Sequence, residues 1–162
     1  MAGHKSFQDK VYDLLSPNFI CSRLQSDESL NNTVIVHPFT TRLVDILIGK
    51  RDDGFFEVGT HVLITQQVQK KWGETDDDYK DKFIQLLEST YFRHMQDVFI
   101  DDEFAFIIST RVFQIQNMRN QEILNLVQNN TVLLKEVSSI LYKIYDSLNM
   151  DKSVYKDYDM SR

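Results

Sequence analysis

Residues 104–118, Phe-Ala-Phe-Ile-Ile-Ser-Thr-Arg-Val-Phe-Gln-Ile-Gln-Asn-Met, are apolar on more than one side. At the helical step of about 100° per residue, Phe104, Ile108, Val112 and Ile115 share one face while Phe106 and Phe113 lie on the other. A helix apolar on two faces belongs at the centre of a bundle. The segment therefore predicts a central helix near 104–118, with the rest of the chain packed around it.

The flanking segments extend the same reading. Upstream, Asp101-Asp102-Glu103 looks like a fresh helix start. Before it, Thr75 and the carboxylates Asp76, Asp77 and Asp78 open a long helix whose Tyr79, Phe83, Leu86, Leu87 and Val98 fall close to one stripe. Phe55, Val58, Val62, Leu63 and Val68 support another helix up to Trp72, closed by Gly73. Gly59 weakens its middle by about 1 kcal/mol relative to Ala, unless close packing needs the missing side chain. Pro38 suits the first turn of a helix through Leu43, Val44, Leu47 and Ile48 to Gly49. Ser6 caps a short amphipathic helix that Pro17 stops.

Downstream, Leu134, Val137, Leu141, Ile144 and Leu148 alternate steps of three and four, as one helix or as two split at Asn129-Asn130. Residues 18–36 resist assignment, since Phe19, Ile20 and Leu24 fit a further turn whereas Val34-Ile35-Val36 is β-branched. The expected fold class is all-α, a single domain over residues 1–150 with roughly six or seven helices. Two prolines and five glycines are too few for the turns of a β-sandwich or barrel. Residues 151–162 read as a polar tail, in which Tyr155 and Tyr158 are candidates for docking or phosphorylation.

Charge and composition narrow the function classes. A net charge of −6, with Lys and Arg scattered and the pairs Lys50-Arg51 and Lys70-Lys71 soon followed by acids, argues against a nucleic-acid or membrane-surface partner. No apolar run approaches the about 18 residues a membrane span needs. One cysteine and a polar start point to an intracellular, cytoplasmic protein without disulfides. The sequons at Asn31 and Asn129 are then unused.

No catalytic constellation stands out. Cys21 is the sole thiol, and nothing local supplies the base that a nucleophile needs. The glycine-flanked motifs of serine hydrolases and phosphate loops are absent. His4, His37, His61 and His94 include no pair at the spacing that places two ligands on one helix face, and the acidic clusters lack the pattern of a calcium loop, so no metal site is expected.

His61 and His94 lie on consecutive expected helices, after a short helix beginning near His37-Pro38. In this the chain resembles the globin family over residues 37–148, and the resemblance implies a haem-binding role for His61 and His94. Lys71-Trp72-Gly73-Glu74 is similar to the Trp-Gly segment of the apoptosis-regulator helical bundles, which implies a groove that takes a helical ligand. Asn120 to Ile140 resembles one helix pair of a helical-repeat scaffold.

Phe92, Phe99, Phe106 and Phe113 recur every seven residues. With Trp72 they line either a partner groove or the core. The function expected is that of a non-enzymatic interaction module, an adaptor, scaffold or inhibitor that binds another protein or a helical peptide without a cofactor. A haem protein and a homo-oligomeric structural protein are the alternatives.

Overall fold

A computed structural model describes residues 6–24, 32–38, 44–51 and 54–148. It corrects the all-α expectation. The described residues form four helices and a six-stranded antiparallel sheet in an α+β arrangement. Helix α1 (Phe7–Leu15) precedes strands β1 (Ile20–Leu24), β2 (Thr33–His37), β3 (Val44–Lys50) and β4 (Phe55–Leu63). Helices α2 (Gln66–Gly73) and α3 (Asp77–Arg93) follow, then strands β5 (Phe99–Ile100) and β6 (Phe106–Gln114) and the long helix α4 (Asn120–Ser147). The sheet order is β1-β2-β3-β4-β6-β5.

The central helix expected at 104–118 is strand β6, followed by a short 3-10 turn over Ile115–Asn117. Its apolarity on two sides is that of a strand whose alternate residues face opposite ways. Ile107, Ile108, Thr110 and Val112 are β-branched and suit a pleated surface better than a helix. The same ambiguity governs residues 55–63. Phe56, Val58, Thr60 and Val62 alternate and are all buried, a period of two that the helix-compatible spacing of Phe55, Val58 and Val62 had masked. The helix expected from Pro38 to Gly49 is likewise replaced where the structure describes it, by β3 from Val44 onward. The long helix that begins after Asp76 ends at Arg93, so Val98 lies beyond it.

Helix ends set by local chemistry follow the sequence. Ser6 accepts the Asp9 N–H and starts α1. Asp76 accepts the Asp78 N–H and starts α3. In contrast, Asp101 accepts from Glu103 and Ala105 in a turn that leads into β6 rather than into a helix. Helix α4 is continuous through Asn129-Asn130. Asn130 is buried there, donates to the Leu126 carbonyl at 2.8 Å and accepts from Gln96 at 2.7 Å. Gln96 in turn accepts from Ser109 on β6 at 2.9 Å. This chain of bonds satisfies polar groups in the interior and ties the turn after α3 to both the sheet and α4.

The core lies between the helices and one face of the sheet. Val36, Ile46, Val58 and Ile107 point into it from four strands. Val11, Trp72, Tyr91 and Leu134 meet them from the four helices. Apolar residues of the opposite face, including Ile35, Leu47, Phe106 and Ile108, are not packed against this cluster. The described residues therefore form two layers, helices over one sheet face. The expected tail at 151–162 lies outside the described residues.

Candidate functional site

Antiparallel pairing carries the side-chain alternation from strand to strand, so the face that no described helix covers can be read off the register. One row across it runs Ile20, His37, Asp45, His61, Ile108 and Phe99. The next runs Ser22, Ile35, Leu47, Gly59 and Thr110. Gly59 has a packing reason. A Cβ there would lie 2.8 Å from the Ser109 carbonyl oxygen and 3.1 Å from Thr110 Oγ1.

At the β5 end of this face the side chains gather into an apolar patch. Phe99 and Phe106 lie with ring centroids 6.0 Å apart. Ile108 is opposite Phe99, and Leu63 is opposite Phe106. Leu63 is 58% exposed and Phe99 57%. Beside them β6 outruns its neighbour. Strand β5 covers only Ile107 and Ile108, whereas β6 continues to Gln114. The Asp101 N–H to Phe106 carbonyl bond shows that even-numbered residues of β6 turn their backbone groups toward β5. Among the described residues no strand pairs with that side of Thr110 and Val112. Such a row of outward amide groups is a template for another extended chain.

At the opposite end, three polar side chains from three strands meet. Ser22 Oγ on β1 is 2.9 Å from His37 Nε2 on β2, and His37 Nδ1 is 2.8 Å from Asp45 Oδ1 on β3. In the tautomer that carries its proton on Nδ1, His37 donates to Asp45 and its Nε2 accepts from the Ser22 hydroxyl. Ser22 is exposed, while the His37 side chain is only 10% exposed. Sequence reading missed this group, because residues 15 and 8 positions apart signal nothing until strand pairing aligns them. The adjacent Cys21 faces the core side, and burial pushes its thiol up to about 11. It is a poor nucleophile at neutral pH.

The aromatic series is dispersed. Trp72 is buried and stacks on Phe104, with ring centroids 4.1 Å apart. Phe113 turns to the helix side and packs on Phe56 at 5.6 Å. Only Phe99 and Phe106 meet. Phe92, 79% exposed, lines a surface depression of about 500 Å³ with Glu88, Ser89, Asp97 and Val98. The histidines of the globin resemblance lie on opposite sides of the sheet. His61 is on the uncovered face of β4, whereas His94 ends α3 and bonds Glu136 of α4 at 3.0 Å. The helical frame implied by that resemblance is replaced by the sheet.

An α+β protein whose described helices cover one face of its sheet is the class these observations define. A solved structure described as that of an uncharacterized protein from Methanothermobacter thermautotrophicus is similar in fold, with a TM-score of 0.62 at 13% identity over 88% of this chain and 99% of that one. That likeness shows the fold alone. No protein-family model and no curated protein matches the sequence. Among the described residues, no helix is long and apolar enough to cross a membrane.

Proposed function

We propose that the protein is an interaction module that binds an extended, apolar segment of another polypeptide on the sheet face opposite its described helices and along the edge of β6 that no described strand pairs. The carrying observation is the adjacency of the Leu63, Phe99, Phe106 and Ile108 patch to the outward backbone groups of Thr110 and Val112. An open strand edge is satisfied by another strand, which makes an extended segment a better occupant than a helical peptide. Its main-chain hydrogen bonds would supply affinity, and its alternate side chains would meet the apolar patch. Covering one aromatic or aliphatic side chain there contributes roughly 1.5–3 kcal/mol at full burial.

Fluorescence polarisation with ten-residue peptides of alternating apolar pattern tests this reading. Val112→Pro removes an N–H that points away from β4, so it spares the ladder within the sheet. We expect binding by the native protein, weakened at least tenfold in Val112→Pro and Phe99→Ser while the unfolding midpoint stays within a few degrees. Absence of binding, or equal binding by both variants, overturns the proposal. So does a homodimer in solution that Val112→Pro dissociates, because the occupant would then be a second copy of this chain.

A further inference from the structure

We propose that Ser22 is a nucleophile, activated by His37 and held in register by Asp45, that takes the acyl group of a carboxylic ester bound on the sheet face opposite the described helices. The inference stands on the geometry of this one corner and does not depend on peptide binding at the β5 end.

Three observations carry it. The connectivity runs in the order that acyl transfer needs, serine hydroxyl to Nε2 at 2.9 Å and Nδ1 to carboxylate at 2.8 Å. Each member sits on a different strand, and the strands are hydrogen-bonded neighbours, so the group is held by the sheet rather than by mobile side chains. The nucleophile is the exposed member and its base is nearly covered, which gives a substrate access to the hydroxyl while limiting water around the imidazole.

The surroundings indicate the substrate class. Ile20 flanks His37, and Ile35 and Leu47 continue the row from Ser22, so a short apolar acyl chain has a surface to lie on. The Lys50 N–H to Asn32 carbonyl bond places even-numbered residues of β2 toward β3 and odd-numbered residues toward β1. On β1 the Ser22 backbone therefore pairs inward, while the N–H of Arg23 points to the open edge of the sheet. Among the described residues no backbone bond is made by that N–H, one peptide on from the nucleophile, and in this inference it donates to the carbonyl oxygen as charge develops on it.

In the acylation step Ser22 Oγ forms a bond to the ester carbonyl carbon, and its proton passes to His37 Nε2. Collapse of the tetrahedral adduct breaks the bond to the alcohol oxygen, which leaves with the proton from His37. Water then attacks the acyl-serine, giving its proton to His37. The carboxylic acid departs, and Ser22 Oγ recovers the proton. Asp45 is a positioning residue, accepting from Nδ1 throughout.

The test uses the full chain with a fluorophosphonate probe and with p-nitrophenyl butyrate. We expect one phosphonylated residue per chain, located on Ser22 by mass spectrometry, and slow ester hydrolysis. Ser22→Ala should abolish both. His37→Ala and Asp45→Asn should each lower the labelling rate roughly a hundredfold, and added imidazole should restore part of the rate in His37→Ala, a response that a purely structural role does not give. Asp45→Asn keeps the side-chain volume, so it reports on orientation even if His37→Ala fails to fold. No labelling of Ser22, or labelling at the native rate in Asp45→Asn, overturns the inference.

Discussion

Trp72 and Phe104 stack face to face in the interior, with ring centroids 4.1 Å apart and planes 17° from parallel. Trp72 lies in the last turn of α2 and Phe104, 32 residues later, in the turn before β6, so the pair fastens a helix end to the approach to a strand. Phe104 adopts a positive φ of 56° to reach it. That conformation is uncommon for a bulky side chain and persists where the surrounding structure compensates for its cost.

Trp72→Ala removes one of two buried aromatic partners and leaves a cavity that the strands cannot fill. The expected cost is about 3–5 kcal/mol, read as a fall in the urea midpoint with little change in slope. Phe92→Ser, by contrast, alters an exposed side chain and should change stability by no more than about 0.5 kcal/mol. If the two variants melt together, the aromatic stack is not a structural element.

Gly59→Ala should destabilise, although alanine favours ordered structure over glycine elsewhere. The added methyl meets the Ser109 carbonyl oxygen at 2.8 Å, and a backbone atom cannot swing aside as a side-chain end can. A loss of about 1–3 kcal/mol is expected, measured by thermal or urea unfolding. A neutral or stabilising effect would show that β4 and β6 separate easily at this point.

Alkaline pH should weaken the fold. Burial pushes the Cys21 thiol from 9.0 to about 11. It also pushes the Tyr91 phenol from 10.0 to about 12, partly offset by the Thr60 hydroxyl. Both protons are thus held more tightly in the folded state than in the unfolded chain. The contribution of these groups is fully present below pH 9 and declines as the pH rises toward 12. Urea midpoints measured across that range should fall in the native protein and fall less above pH 10 in Tyr91→Phe. A parallel decline in both would assign the alkaline loss to other groups.

The elements legible in the sequence are those whose determinants are local. Ser6 and Asp76 each bond an amide two or three residues onward, so their helix starts are written in adjacent side chains. The apolar steps of α4, through Leu134, Val137, Leu141 and Ile144, need only one helix and one neighbour to be understood, and these residues are buried as that spacing requires. The strands were not legible in this way. Along Phe106–Gln114 the apolar residues satisfy a period of 3.6 as well as a period of two, and the choice between them is made by β4 on one side and β5 on the other.

The candidate surfaces divide along the same line. Spacing singled out Phe92, Phe99, Phe106 and Phe113, but the sheet brings Phe99 to Phe106, turns Phe113 to the core side and leaves Phe92 at a helix end. Ser22, His37 and Asp45 had no motif to announce them, since β pairing rather than sequence distance makes them neighbours. By itself the sequence determined the charge, the helix starts at Ser6 and Asp76, and the first and last helices, all properties of residues and their nearest neighbours along the chain. Only the tertiary structure decided that the middle is a sheet, that the described helices pack on one face of it, and that a serine, a histidine and an aspartate meet on the other. The physical reason is that a strand's backbone hydrogen bonds close onto other strands, so its register depends on residues far away in the sequence.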